Sequence, residues 1–410
     1  MAAFLIVACL LFAWSVTAER LARWSVTAPL AFALAGAFLN SGEAPWVQEN
    51  LSQHGFQRGV EVVLALLLFL DACESTEYHR LKTTAGEWRL LGIALPLTIA
   101  VATLMGAALF PDTGWWLLLV TALVVMPIDL APISTLLADE RVPLRVRAAL
   151  NVEGGLNDGL ISPLFVFAVA HVTAAGNSGV GALVWRVVRE SATAVLVGAL
   201  LGAGAAWLVR RALAAQWATP ESLRLATLAV PFLVFTAAVL AHGNGFVAAF
   251  VSGVCYAPAA RALGHANLSL VHHVGQVLAF AVWFVLGGLT IDQFADGIGL
   301  AELGYALLAL TVVRFLPVML SLTATVLTVP ERAAVGWFGS RGVTSIVFAT
   351  LAAGQLPPEE ADFVVTAMCA TVLLSVLLHG LSVRPIALAF ARRATGSRAV
   401  SRGTKGPSGA

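Results

Sequence analysis

Two carboxylates and two amides open an otherwise apolar run at Asn151-Val152-Glu153-Gly154-Gly155-Leu156-Asn157-Asp158-Gly159, continuing through Leu160-Ile161-Ser162-Pro163 to Ala170. In a membrane helix, a charged group at mid-span costs about 2.5 to 3.5 kcal/mol on insertion scales. That cost is accepted where the group lines a polar cavity, pairs with an opposite charge, or handles ions and protons. At about 100° per residue, Asn157 lies one turn above Glu153 on nearly the same face, and Asp158 points about 140° away from Glu153. The two carboxylates therefore look into different surroundings. Gly154 and Gly155 lie beneath the Asp158 side chain and leave room for an ion, a water or a neighbouring helix. Pro163 cannot donate to the carbonyl of Gly159, which adds an oxygen near Asp158. These positions make Asp158 the group that exchanges an ion or proton and Glu153 a paired, structural charge.

Three other stretches carry polar groups at membrane depth. Val125-Met126-Pro127-Ile128-Asp129-Leu130-Ala131-Pro132 sets two prolines around one carboxylate. Each proline removes a backbone donor, so the helix breaks near its middle, and unwound backbone at that depth must face protein or a water-filled cavity. Such a break is also the mark of a transport site built from half-helices. Trp337-Phe338-Gly339-Ser340-Arg341-Gly342-Val343-Thr344-Ser345 repeats the irregularity late in the chain, with glycines around an arginine. If both spans are broken and cross, Asp129 offsets the positive half-helix N-termini and Arg341 the negative C-termini. Arg314 lies inside the apolar run from Leu303 to Val326 and needs a partner, and Glu153 is the acid left over, so a Glu153–Arg314 pair is predicted. Asp71 and Glu61 read as caps at the ends of one helix. His242, His272 and His273 flank spans and read as loop or interfacial residues. No phosphate loop, zinc signature or catalytic triad is present, and no catalytic residue is assigned.

The elements that hold these groups follow from composition. The chain has 410 residues, of which 59% are hydrophobic and 11% charged, with mean hydropathy +0.88. Soluble domains carry about 25% charged residues, so this is a polytopic, all-α membrane protein. The net charge of +1 argues against nucleic acid or an acidic partner. Cys9, Cys73, Cys255 and Cys369 are scattered, without metal-type spacing. The apolar run at Ala2 to Val16 has no basic region ahead of it and reads as a first transmembrane helix, not a signal peptide. Hydrophobic runs place helices near 3–18, 26–40, 57–72, 88–110, 114–137, 147–172, 186–209, 223–241, 244–257, 270–290, 301–327, 333–353 and 361–390.

Thirteen spans put the termini on opposite sides. Arg20 and Arg23, Arg80, Lys82 and Arg89, Arg141, Arg145 and Arg147, Arg210 and Arg211, Arg261 and Arg332 fall in one set of links. The other set holds Arg58, Arg186 and Arg189 with acidic links at Asp292 to Asp296 and Glu359 to Asp362. The basic links face the cytoplasm, which leaves the N-terminus outside and the C-terminus inside the cell membrane. Residues 391–410, with Arg392, Arg393, Arg398, Arg402 and Lys405, read as a disordered basic cytoplasmic tail that rests on anionic lipid. No soluble regulatory domain is expected.

Glu153 with Asn157-Asp158, the proline-flanked Asp129 and Gly-Ser-Arg341-Gly together resemble the first monovalent cation:proton antiporter family, the sodium/proton exchanger or NhaP type. Leu91-Gly-Ile-Ala-Leu-Pro-Leu-Thr98, Arg141-Val-Pro-Leu-Arg-Val-Arg147 and Val312-Val-Arg314 support the likeness, which runs from about Leu66 to Ala391. The resemblance implies about thirteen helices in inverted repeats within a membrane unit over 1–390. Its six-helix core, about 88–172 and 301–390, contains two unwound crossing helices and slides to give alternating access. The helices of about 1–72 and 223–290 form a dimerisation domain, about 186–209 links the two, and the protein is a homodimer. By matching position, Asp158 carries Na⁺ or H⁺ with Asn157 beside it, Asp129 lies at the first crossing, Glu153 pairs with Arg314, and Arg341 lies at the second break. Asn-Asp, where a related electrogenic family has Asp-Asp, implies electroneutral one-for-one exchange of Na⁺ or Li⁺ for H⁺ without a cofactor.

Two positions depart from the pattern. Ile128 stands where the family usually has Thr, and Gly154 where it commonly has Ser. With both hydroxyls missing, the ion shell rests more on Asp158, on backbone at Ile128 and Gly154, and on water, with Ser162 one turn on as a possible substitute. A K⁺/H⁺ or broad monovalent cation/H⁺ exchanger is the first alternative, and a cation channel or ion sensor on the same scaffold the second.

Overall fold

The computed structural model describes residues 2–22, 27–41, 54–79, 86–173, 180–264, 268–295 and 297–403. Every regular element among them is helical, as expected where the bilayer offers no partner for free backbone groups. In chain order they are α1 (Ala2–Ala22), α2 (Ala28–Asn40), α3 (His54–His79), α4 (Glu87–Leu109), α5 (Trp115–Val125), α6 (Ser134–Ala138), α7 (Leu144–Thr173) and α8 (Val180–Ala214). They continue as α9 (Pro220–Leu240), α10 (Gly245–Ala262), α11 (Ser269–Gln293), α12 (Leu300–Ser321), α13 (Val329–Trp337), α14 (Val343–Ala353) and α15 (Pro358–Gly403). Eight are long and apolar enough to cross a membrane, and α2, α5 and α14 are shorter apolar helices. The chain is an all-α polytopic membrane protein.

The sequence expectations at 114–137 and 333–353 each resolve into two half-helices. α5 ends at Val125, just before Pro127, and helix resumes after a short turn at Ala131–Ile133. α13 ends at Trp337 and α14 begins at Val343. Three boundaries differ in ways that matter. α3 runs on to His79, so Asp71 sits within a helix and not at its cap. α12 ends at Ser321 and α13 starts at Val329, where the Glu331 carboxylate accepts the Thr328 amide at 2.8 Å and its hydroxyl at 2.9 Å. That local cap begins the helix four residues before the apolar run that was used to place it. α15 extends to Gly403, helical across much of the region expected to be a disordered tail. Residues 404–410, and with them Lys405, lie outside the described residues, as do Arg23, Arg80, Lys82 and Asp296.

Three apolar clusters organise the bundle. One gathers α3, α8, α9 and α10 around Phe69, Val234 and Tyr256. A second joins α4, α6, α7, α12, α13 and α15 around Leu150, Val335 and Phe338. The largest runs from α2 and α11 through α3 to α5, α7, α14 and α15. α3 thus lies against α7, and the backbone carbonyl of Asp71 together with the Ser75 side chain fills the space that a Cβ on Gly155 would need. The room beneath Asp158 at Gly155 therefore belongs to a neighbouring helix.

Candidate functional site

Two unwound segments, 126–130 and 338–342, meet at the centre of the bundle. The amide of Asp129 donates to the carbonyl of Ser340 at 2.8 Å, and the Ser340 hydroxyl donates back to the carbonyl of Asp129. One carboxylate oxygen of Asp129 accepts the Val343 amide at 2.7 Å, at the N-terminus of α14, and the other accepts the Ala131 amide at 2.7 Å. The Arg341 guanidinium, fully buried, donates to the carbonyls of Met126 and Pro127 beyond the C-terminus of α5. A carboxylate thus stands at half-helix N-termini and a guanidinium at a half-helix C-terminus, each opposite the partial charge it offsets. Glycine is required here for space. A Cβ on Gly342 would strike the Asp129 carboxylate, and one on Gly339 would strike the Arg314 guanidinium.

Glu153 and Arg314 form a bidentate ion pair at 2.9 and 3.0 Å, and Arg314 also donates to the carbonyl of Val335 at 3.2 Å. Both side chains are 3% exposed, so each charge depends on the other for compensation. The pair ties α7 to α12 and reaches α13.

Asp158 faces a cavity of about 850 Å³ whose wall includes Asp71 and Ser75 of α3, Ile128 and Asp129 of the first break, Gly154 of α7 and Thr344 of α14. Its Oδ2 accepts the Thr344 hydroxyl, and the backbone amide of Ile128 also interacts with the carboxylate. Its Oδ1 is buried with no hydrogen-bond partner among the described residues, and so are both amide atoms of Asn157, which is 0% exposed. Buried polar groups are nearly always satisfied by protein, water or an ion. The open oxygen of Asp158, at the wall of the cavity, is suited to a small hydrated cation or a proton with water. The cavity wall also includes Glu74, Asp139, Arg141 and His272. There Arg141 holds the Asp139 carboxyl below its usual range through a 2.6 Å contact, and His272 lies 3.4 Å from Glu74. On the other side of Asp158, Phe165 stacks on Phe348 at 4.3 Å and both are buried.

Several sequence expectations land elsewhere. The Ser162 hydroxyl donates to the carbonyl of Gly159 at 3.3 Å, so the carbonyl that Pro163 leaves without its helical donor finds one on the same helix. Gly154 lines the cavity, but the space above its Cα is filled by Leu130. Ile128 presents its backbone amide to the Asp158 carboxylate. Asp71 joins the cavity wall. His272 lies at the cavity mouth, and Glu61 pairs with Arg58 at 3.0 Å. Thr344 was within the stretch that drew attention at Arg341 but was not singled out, because only the crossing brings α14 against α7.

Residues 6–389 match the model of the family described as "Sodium/hydrogen exchanger, transmembrane". The chain belongs to the sodium/hydrogen exchanger family. Within reach of that family, it is 25% identical over 306 residues to the K(+)/H(+) antiporter NhaP2 of Shewanella oneidensis, which covers 72% of this chain and 51% of that protein. It is 24% identical over 276 residues to the Na(+)/H(+) antiporter of Schizosaccharomyces pombe, with 61% of this chain and 58% of that protein covered. The chain therefore spans about half the length of the curated relatives it matches. The solved structure of the sodium proton antiporter MjNhaP1 from Methanocaldococcus jannaschii superposes with a TM-score of 0.74 at 17% identity, over 95% of this chain and 100% of that one. The chain thus shares the fold of that antiporter.

Proposed function

We propose that this chain exchanges a monovalent cation for protons across the cell membrane, and that cation and proton occupy Asp158 by turns. The observation that carries the proposal is the open Oδ1 of Asp158 at the wall of the cavity. A bare carboxylate resists passage past the stacked Phe165 and Phe348 because burial of an uncompensated charge is costly, whereas a carboxylate neutralised by a cation or a proton passes more readily. Exchange is then obligatory, because the empty anion stays on the side where it lost its load. Asn157 adds a ligand but no charge, which supports one-for-one, electroneutral turnover. Asp129 holds the crossing through its two backbone contacts, and the Glu153–Arg314 pair and Arg341 brace the helices around it. Catalytic chemistry and a resident cofactor have no part in this scheme.

Na⁺ or Li⁺ is the cation of the first reading. K⁺ is the second, supported by the loss of hydroxyls at Ile128 and Gly154 and by the name of the Shewanella relative. The cavity wall includes Arg141 of the basic link 141–147, which supports a cytoplasmic opening, an outside N-terminus and a cytoplasmic C-terminus. The apolar outer surfaces of 1–72 and 223–290 are the proposed contacts with lipid and with a second copy in a homodimer.

The test is proton flux in proteoliposomes under an imposed pH gradient, with Na⁺, Li⁺ or K⁺ added in turn and the potential clamped or released. Cation-evoked flux that ignores the potential is expected. Because one carboxylate serves both ions, acidification should raise the apparent KM for the cation and leave the maximal rate on the cation-saturated side unchanged. A falling maximal rate at constant KM would assign the two ions to separate sites. Thr344→Val removes a hydrogen bond to a charged group, worth about 1.5–3 kcal/mol, and should weaken apparent cation affinity by about tenfold to a hundredfold. Titration of cation-evoked flux in the variant measures that loss, and an unchanged KM would remove Thr344 from the site.

A further inference from the structure

Behind the second break, α15 presents a buried histidine that the exchange scheme does not use. His379 is 0% exposed. Its Nδ1 lies 2.9 Å from the hydroxyl of Ser375, one turn earlier on the same helix, and that hydroxyl accepts the backbone amide of Arg341 at 2.7 Å. On the other side of the ring, the indole of Trp337 stands edge-on with centroids 5.6 Å apart. The Trp337 Nε1–H donates to Ser382 Oγ at 2.8 Å, and the Ser382 hydroxyl donates to the carbonyl of His379 at 3.0 Å. One face of α15 therefore grips both lips of the unwound segment 338–342, at Trp337 and at Arg341.

Ser375 Oγ accepts the Arg341 amide and keeps a second lone pair and one proton, so it can meet His379 Nδ1 as donor or as acceptor according to the ring tautomer. In either tautomer the ring fixes the rotation of the hydroxyl and leaves a lone pair on the Arg341 amide. The backbone it holds is that of the residue whose guanidinium reaches the carbonyls of Met126 and Pro127. Those carbonyls adjoin Ile128 and Asp129, at the wall of the Asp158 cavity.

We propose that His379 and Ser375 are positioning residues for exchange: His379 orients the Ser375 hydroxyl, which holds the Arg341 backbone so that its side chain keeps the two breaks in register. The chain of contacts is specific in geometry. Asparagine at 379 can place a polar group, acceptor or donor, where Nδ1 lies, whereas glutamine places its polar end near Nε2.

The experiment compares His379→Ala, His379→Asn, His379→Gln, Ser375→Ala and the double Ser375→Ala/His379→Ala variant in proteoliposomes, with amide hydrogen exchange across 338–342 measured on the same preparations. Leaving the Arg341 amide without an oriented acceptor should lower maximal exchange by about tenfold in His379→Ala, His379→Gln and Ser375→Ala, with the cation KM within about twofold of the parent. His379→Asn should restore the rate, and the double variant should be no worse than either single one, because the residues act as one chain. Protection of 338–342 should fall and recover in the same order, whether or not the cation assignment holds. Equal behaviour of Asn and Gln, or multiplying losses in the double variant, would overturn the proposal. So would a His379→Ala variant with the parent's rate and protection. If His379→Ala fails to fold, the Asn and Gln pair decides by itself.

Discussion

Asp158→Asn is expected to leave a folded, membrane-inserted protein whose cation-evoked proton flux equals that of empty liposomes. The substitution keeps size and shape, and it leaves the Thr344 hydroxyl an oxygen to meet. What it removes is the charge that a cation or proton must neutralise. Without that charge no ion is bound tightly and no empty anion blocks the return step, so coupling disappears with turnover. Stability should move the other way or stay level, because the aspartate is a buried carboxylate with one oxygen unpartnered and the amide is cheaper to desolvate. Thermal unfolding in detergent, read alongside flux, separates the two effects. Retained exchange in the variant would move the ion site away from Asp158, with Asp71, the acid facing it from α3, first in line.

The second large effect is expected at Glu153 and Arg314, and it falls on stability. Removing one member of a buried pair leaves the other charge uncompensated and typically costs about 3–5 kcal/mol. Arg314→Leu strands the Glu153 carboxylate, and Glu153→Leu leaves Arg314 with the Val335 carbonyl alone. Both single variants should therefore unfold at markedly lower temperature and yield little monodisperse protein. Replacing both residues by leucine removes both desolvation penalties, so the double variant should recover most of the stability lost by either single one. Its flux then tells bracing from participation in transport. A stable double variant with parental exchange makes the pair a brace. A stable but inactive one gives the charges a part in the exchange itself. Single variants as stable as the parent would contradict the burial of the pair.

Much of this arrangement is legible in the chain because a bilayer gives so few structural choices. A carboxylate, an arginine or a pair of prolines inside an apolar run conflicts with hydrocarbon, and each conflict points to a cavity, a partner or a break. Glu153, Arg314, the interruption at Pro127 to Pro132 and the one around Arg341 were all found that way. Local rules compete where several act on one helix. Pro163 leaves the Gly159 carbonyl without its helical donor, and the neighbouring Ser162 hydroxyl supplies one at 3.3 Å. Asp71 was placed at a helix end because polar residues follow it, although α3 continues to His79 and turns that carboxylate to the cavity.

By itself, the sequence determined that this is an all-α membrane protein, where its two helices break, and which charges need partners. Those features follow from hydropathy and from the backbone chemistry of proline and glycine, and both act within a few turns of chain. Only the tertiary structure decided which groups meet. Thr344 reaches Asp158 across 186 residues, Arg341 reaches Met126 across 215, and Ser375 reaches Arg341 across 34. No periodicity encodes such meetings. They depend on how α5, α7, α14 and α15 pack around the crossing, where a hydroxyl in an apolar run gives no sign of what it will touch.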